Sequence, residues 1–168
     1  MIEQPLIEAL HILYSPLEAA DLQWAITGSL GLALHGMNLE IHDIDIQTNK
    51  NGAYAFGKLF SEYTITPTYY RASDRIRSHF GVFGINDVQV EVMGDLQKLL
   101  PDQTWEMPIR VRENSDLVTF DGMQLPVISL AHEYQAYKTL GRHEKAKKIK
   151  EWMEAHSGVG PSRAHQRK

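Results

Sequence analysis

Residues 41–47 read Ile-His-Asp-Ile-Asp-Ile-Gln, a stretch in which aspartates and isoleucines alternate. Since side chains of a β-strand point alternately to its two faces, the stretch predicts a strand with Asp43 and Asp45 on one face and Ile44 and Ile46 on the other. Two carboxylates in one small volume repel each other unless a cation lies between them. The pattern favours magnesium, which binds a few carboxylates and completes its shell with water and phosphate oxygens. Two solvated carboxylates on an exposed sheet face are the alternative.

A second alternating run, Val-Gln-Val-Glu-Val at residues 88–92, places Glu91 on the face opposite three valines. If this strand lies beside the strand of Asp43 and Asp45, the usual spacing of about 4.8 Å brings Glu91 close to both aspartates. Glu91 would then share the metal or take a proton from an attacking hydroxyl. An exposed glutamate in a half-buried strand is the alternative.

A Gly-Ser pair lies upstream of both runs. Residues 24–27 are prone to form a short strand that ends at Gly28-Ser29, and helical spacing follows in Leu30, Ala33, Leu34 and Met37. The free backbone N–H groups and the dipole of a helix start favour an anion. Glycine lets the backbone approach a phosphate, and the Ser29 hydroxyl adds a donor. A plain helix cap without a ligand is the alternative.

The rest of the chain divides into helical and strand patterns joined by polar turns. Helices are predicted from the spacing of Leu6, Leu10, Leu13 and Leu17, over Ala53–Phe60, from Ser129 through Leu140, and from the stripe of Ala146, Ile149 and Met153. Strands are predicted within residues 38–48, on both sides of a hairpin turn at Gly84–Asp87, and at 108–111, 117–120 and 123–127. The pattern predicts an α/β (α+β) fold, in which helices flank a mixed β-sheet and a helical segment ends the domain.

The chain has 168 residues and 43% hydrophobic content, which is the size and composition of one globular domain. We expect a single domain over residues 1–156. Within it, residues 1–95 form the core that carries the motifs, 96–128 add strands, and 129–156 form the C-terminal helices. Residues 157–168 are predicted to be a flexible tail, because they combine glycines, a proline and basic residues.

Charge and composition narrow the class of function. The net charge is -4, so no basic surface is expected to hold an extended nucleic acid. The chain contains no cysteine, which excludes disulfides and thiolate sites and agrees with a reducing compartment. No apolar stretch is long enough to span a bilayer, and the first residues lack the features of a signal peptide. We therefore expect a cytoplasmic protein without a membrane partner.

The order of these motifs resembles a known family. An apolar strand, Gly28-Ser29, a helix, the Asp43-Ile-Asp45 strand and an acid within a valine strand follow one another in the first 95 residues. This order is similar to that of the nucleotidyltransferase superfamily, the polymerase-β-like group. The group includes aminoglycoside and lincosamide nucleotidyltransferases and the minimal nucleotidyltransferases of toxin–antitoxin modules. The segment 130–153 also resembles the C-terminal helices of small lincosamide-type members.

The resemblance implies a nucleotidyltransferase fold and roles for five residues. Gly28 and Ser29 would hold the triphosphate, Asp43 and Asp45 would bind magnesium, and Glu91 would be the third carboxylate. The implied reaction transfers a nucleoside monophosphate, AMP from ATP, to a hydroxyl of an acceptor and releases pyrophosphate, with two magnesium ions bridging the acids and the triphosphate. The acceptor would be a small molecule, such as an antibiotic, or a protein side chain.

Basic residues outside these motifs are candidates for binding the nucleotide. Arg75 and Arg77, with Arg71 nearby, lie between the aspartate pair and Glu91, where guanidinium groups would neutralise phosphates. Lys138 lies near the end of a predicted helix and would reach a phosphate from there. The alternatives are a solvated loop for the arginines and a favourable charge at a helix C-terminus for Lys138.

Two other functions fit parts of the pattern. Asp43-Ile-Asp45 also resembles the opening motif of a haloacid-dehalogenase-type phosphatase, in which the first aspartate attacks phosphorus. A catalytically silent nucleotidyltransferase-like subunit of a toxin–antitoxin pair is the second alternative. Partner proteins are therefore expected to be a second copy, in a dimer, or a toxin–antitoxin partner.

Overall fold

The computed structural model describes residues 1–157, and the rest of the predicted tail lies outside the described residues. Its five α-helices within this range are α1 (Gln4–Ala19), α2 (Gly28–Leu34), α3 (Lys50–Leu59), α4 (Leu130–Thr139) and α5 (His143–Ala155). Its seven strands are β1 (Trp24–Thr27), β2 (Ile44–Thr48), β3 (Thr64–Ala72), β4 (Ile76–Ile85), β5 (Val88–Lys98), β6 (Ser115–Phe120) and β7 (Met123–Ile128). In this part of the chain, no helix combines the length and apolar character that a membrane crossing requires.

All seven strands form one mixed sheet in the order β3-β4-β5-β2-β1-β7-β6. Strand β2 pairs with β5 in parallel and with β1 antiparallel, so it lies at the centre of the sheet. A meander of β3, β4 and β5 completes one side, and the β6–β7 hairpin completes the other, where β7 pairs in parallel with β1. The predicted mixed sheet flanked by helices is confirmed.

The main core lies on one face of the two central strands. Ile44 and Ile46 of β2 and Val90 and Val92 of β5 are fully buried, because alternation sends them to the same face. Helices α1 and α3 cover this face with the apolar side chains Leu6, Ala9, Leu10, Leu13, Leu17, Ala53 and Phe56. The opposite face of β2 and β5 is thereby left for polar side chains.

A second, smaller core holds the C-terminal helices. Ser129 caps α4 by accepting a hydrogen bond from the His132 N–H, and Gly141 has a φ of +76° where the chain turns into α5. Tyr137, Ala146 and Ile149 pack on Leu32 of α2. The C-terminal helices are thus joined to the helix that follows β1.

Two strand predictions differ from the structure, and one strand is absent from the prediction. The strand predicted within residues 38–48 is confined to Ile44–Thr48, where pairing partners exist on both sides. The strand predicted at residues 108–111 does not form, and Val111 lies in a loop that packs it against Ala25 and Ile128. Strand β3 is missing from the prediction, because it is an edge strand and its mostly exposed side chains show no apolar alternation.

Gly94 of β5 lies in close contact with the first turn of α3. A Cβ atom there would lie 2.7 Å from the backbone oxygen of Asn49 and 2.7 Å from Cβ of Ala53. We predict that Gly94→Ala lowers the free energy of unfolding by about 1–3 kcal/mol, the usual cost of overpacking. Urea denaturation measures the change.

Gly84→Ala is the matched control for this substitution. Gly84 lies on the neighbouring strand, and its added Cβ would meet only the end of the Ile65 side chain at 3.0 Å, which is 62% exposed and free to move. We expect little change there. Equal stability of both variants and the wild type would show that β5 and α3 are not in tight contact.

Candidate active site

Three carboxylates converge on the polar face of the central strands. Asp45 of β2 and Glu91 of β5 are direct partners in the parallel pairing, and Asp43 immediately precedes β2. Ligand oxygens of the three residues all lie within 4.8 Å of one another. The structure therefore brings together the acids that alternation assigns to a common face.

Asp45 lies in the most constrained position of the three. Burial, together with the charges of Asp43 and Glu91, raises the pKa of Asp45 from 3.8 to about 8. The backbone of Gly28, with a φ of +68°, lies against this carboxylate, so that a Cβ there would be 2.5 Å from Asp45 Oδ2. Only glycine allows this approach.

The chemistry of this donor set fits a magnesium ion. The ligands are carboxylate oxygens, the hard donors that magnesium prefers, and a divalent cation would relieve the repulsion that adds to the effect of burial on the Asp45 pKa. All three acids are only half-buried, which leaves room for water or phosphate oxygens in the coordination shell. Asp43, Asp45 and Glu91 are thus the residues that would hold the metal.

A buried hydrogen-bond network lies beside the acids. Glu133 of α4 accepts a hydrogen bond from the Thr27 hydroxyl and a longer one, 3.4 Å, from the Gly28 N–H. Thr27 in turn accepts a hydrogen bond from the Gln47 side-chain amide at 3.2 Å. The C-terminal helices are therefore tied directly to the turn that follows β1.

A cavity of about 370 Å³ extends from the acids between the sheet and the C-terminal helices. Asp45, Glu91 and Glu133 line one part of it. Three cations also line it, Arg71, Lys98 and Arg142, of which Lys98 is paired with Glu106. Apolar contact surface comes from Ile76, Phe80, Met93, Leu96, Ala136 and Leu140. The cavity thus offers acidic, basic and apolar surfaces next to one another.

Two exposed arginines of the cavity are available for an anion. Within residues 1–157, neither Arg71 nor Arg142 forms an ion pair. The Arg71 guanidinium lies 4.4 Å from the centre of the Phe80 ring, and Arg142 lies 6.0 Å from that of Tyr137. Both are held by aromatic contacts at the cavity and keep their hydrogen-bond donors for a ligand.

Four of the five residues that the sequence predicts to bind the nucleotide do not line the cavity. Gly28 lines the cavity, whereas Ser29, the next residue of α2, is half-buried and does not. Arg77 packs over the Trp105 ring at 4.3 Å and donates a hydrogen bond to Gln97. Arg75 is exposed, and Lys138 is exposed beside Tyr134; neither lines the cavity.

Sequence reasoning misses Glu133, Thr27 and Arg142. The partners of Glu133 lie 106 and 105 residues earlier in the chain, so no local spacing connects them. One signal is present, because Glu133 lies on the same helical stripe as Leu130 and Tyr137, where an apolar residue is expected. A buried acid on an apolar stripe indicates a specific partner.

The model of the aminoglycoside-2''-adenylyltransferase family matches residues 9–153. A solved structure described as a nucleotidyltransferase, TM1012 from Thermotoga maritima, is 41% identical, with a TM-score of 0.81; the match covers 92% of this chain and 96% of that one. No curated protein matches the chain by sequence.

Two antibiotic-modifying enzymes share the fold at low sequence identity. The lincosamide antibiotic adenylyltransferase LnuA, solved with lincomycin, is 13% identical with a TM-score of 0.54, over 89% of this chain and 97% of that one. ANT(2'')-Ia, solved with adenylyl-2''-tobramycin, is 11% identical with a TM-score of 0.51, over 95% and 91%. These likenesses concern the fold.

The raised pKa of Asp45 predicts a pH dependence of the metal-free protein. The folded state binds the proton of Asp45 more tightly than the unfolded state, whose pKa is near 3.8. The Asp45 contribution to stability is therefore fully present below a pH of about 4 and is lost as the pH rises toward 8. We expect the melting temperature in EDTA to fall between a pH of about 5 and about 8 more steeply for the wild type than for Asp45→Asn.

Asp43→Asn is the intermediate case for this measurement. It leaves the Asp45 carboxyl in place but removes one of the charges that raise its pKa. Its pH dependence should lie between those of the wild type and Asp45→Asn. Parallel curves for all three proteins would contradict the close acidic cluster.

Proposed function

Because the chain belongs to the aminoglycoside-2''-adenylyltransferase family, and is therefore a nucleotidyltransferase, we propose that it transfers AMP from ATP to a hydroxyl group of an acceptor. The convergence of Asp43, Asp45 and Glu91 within 4.8 Å at one end of a cavity carries the proposal. A silent subunit would keep a half-buried cluster of acids, in which burial and then repulsion raise the Asp45 pKa, without a use for it. The family match also sets aside the phosphatase alternative.

The acids would hold magnesium, and we propose two ions, as in the two-metal sites of polymerases. Bound there, magnesium supplies charge neutralisation to the phosphates and lowers the pKa of the acceptor hydroxyl. Asp45 approaches from β2, Asp43 from the residue just before β2, and Glu91 from the neighbouring strand. This support from two adjacent strands fixes the carboxylates before the nucleotide arrives.

Glu91 is the proposed proton acceptor. Its carboxylate is half-exposed, and Oε1 accepts a hydrogen bond from the Gln89 side chain at 3.1 Å, which orients it. In the proposed step, the acceptor oxygen bonds to the α-phosphorus, its proton passes to Glu91, and the bond between the α-phosphorus and the bridging oxygen of pyrophosphate breaks.

The phosphates would contact the turn after β1 and the cavity arginines. Gly28 allows the close approach, and Ser29 offers its hydroxyl and N–H. Arg71 and Arg142 would neutralise phosphate charge because they line the cavity and make no ion pair within residues 1–157. The sequence alone favours Arg75, Arg77 and Lys138, with Arg71 nearby. We prefer Arg71 and Arg142 because of their position.

The proposal is tested by incubating the protein with ATP and magnesium and measuring pyrophosphate release. We predict that Asp43→Asn and Asp45→Asn abolish release, and also magnesium binding in calorimetry, because each replaces a charged ligand by a neutral one of similar shape. Glu91→Gln should slow release by about 10²–10⁴-fold, the usual contribution of a general base.

Unchanged circular dichroism of the three variants is the control for folding. Magnesium-dependent ATP turnover that survives in Asp43→Asn or Asp45→Asn would contradict the assignment. Release of inorganic phosphate in place of pyrophosphate would contradict nucleotidyl transfer itself.

Calorimetric titration with magnesium-ATP separates the two groups of cations. We predict that Arg71→Ala and Arg142→Ala each weaken binding by about 1.5–3 kcal/mol, the range for hydrogen bonds to charged groups. Arg75→Ala and Lys138→Ala serve as matched controls and should bind like the wild type. If Arg75→Ala and Lys138→Ala weaken binding and the other two variants do not, Arg75 and Lys138 are the residues that bind the phosphates.

A further inference from the structure

Glu133 is a buried acid that the proposed reaction leaves without a role. It is 4% exposed, lines the cavity, and lies on α4, outside the segment that carries the acidic triad. Its Oε1 atom accepts both hydrogen bonds, from the Thr27 hydroxyl and the Gly28 N–H. A buried carboxylate aimed at a turn that is expected to meet phosphates is either a competitor of the nucleotide or a support for the turn.

The surroundings of Glu133 favour a support. Thr27 is itself buried and bound to Gln47, so the withdrawal of Glu133 would leave a buried hydroxyl with only one partner. Tyr137, one turn later on α4, is packed in the second core with α5. The packing of α4 therefore holds the backbone of Glu133 within hydrogen-bonding reach of the turn.

The same link leads from Glu133 to the metal ligands. Thr27 is the direct pairing partner of Asp45 across β1 and β2, and the Gly28 backbone lies against Asp45 Oδ2. A change in the position of the Gly28 turn therefore changes the space and the contacts of this carboxylate. Through Thr27 and Gly28, helix α4 is therefore connected to the end of the cavity that Asp45 lines.

We propose that Glu133 is a positioning residue that holds the Gly28 turn in place and thereby orients Asp45. This role rests on the proposed function. It differs from that of the triad, because Glu133 acts on magnesium-ATP through the turn and does not contact the reacting atoms. If Glu133 competes with the nucleotide, removal of its carboxylate strengthens the binding of magnesium-ATP. If Glu133 supports the turn, removal of its carboxylate weakens that binding.

The test is the affinity for magnesium-ATP, measured by calorimetry, of the wild type, Glu133→Ala and Glu133→Gln. Glu133→Ala should weaken binding about 10- to 100-fold, the range for residues that orient metal ligands. Glu133→Gln keeps an oxygen that accepts from both donors and should restore most of the affinity. Gln135→Ala, an exposed change on the same helix, is the matched control and should leave the affinity unchanged.

Amide hydrogen exchange of Gly28 in the nucleotide-free protein tests the support independently of catalysis. Exchange should be faster in Glu133→Ala and close to wild type in Glu133→Gln. If Glu133→Ala does not fold, Thr27→Val removes the same link from the other side and should weaken binding, whereas Thr27→Ser should not.

Tighter binding by Glu133→Ala would identify the carboxylate as a competitor and overturn the inference. If the wild type binds magnesium-ATP and Glu133→Ala binds it equally well, the inference is also overturned, and the proposed function stays intact. A wild type that does not bind magnesium-ATP would overturn the proposed function and the role of Glu133 with it. If the Gly28 amide of Glu133→Ala nevertheless exchanges faster in that case, the hydrogen bonds of Glu133 serve only the stability of the turn.

Discussion

The parallel pairing of β2 with β5 is the constraint on which the rest of the molecule depends. Its register sets Asp45 directly opposite Glu91 and, on the other face, Ile44 and Ile46 beside two buried valines. A slip by one residue would send the acids into the apolar core and the isoleucines into the cavity. The core and the acidic cluster are therefore specified by the same alternation.

The predictable part of the site is the part encoded by local periodicity. Alternation is sufficient to assign Asp43, Asp45 and Glu91 to strand faces, because the period of a strand is fixed by the backbone. The adjacency of the two strands is not local information. It follows from the resemblance to a family, because Asp45 and Glu91 are far apart in sequence and their pairing is decided by the whole sheet.

The parts that could not be predicted depend on contacts without a local pattern. Strand β3 has a partner on one side only, so its side chains stay largely exposed and carry no apolar period. Glu133 is a single acid in an otherwise ordinary helix, and its partners lie in β1 and at the start of α2. Arg71 and Arg142 are far apart in the chain and line the same cavity only after β3 and the α4–α5 turn are placed.

The dependence of the cavity on α4 has a consequence for biosynthesis. A ribosome makes β1, β2 and β5, with all three acids, before it makes β7 and α4. Until β7 emerges, the outer edge of β1 has no neighbour in the sheet, and until α4 emerges, the Thr27 hydroxyl lacks Glu133. The nascent chain therefore contains the three acids before it contains α4, the helix that encloses one side of the cavity.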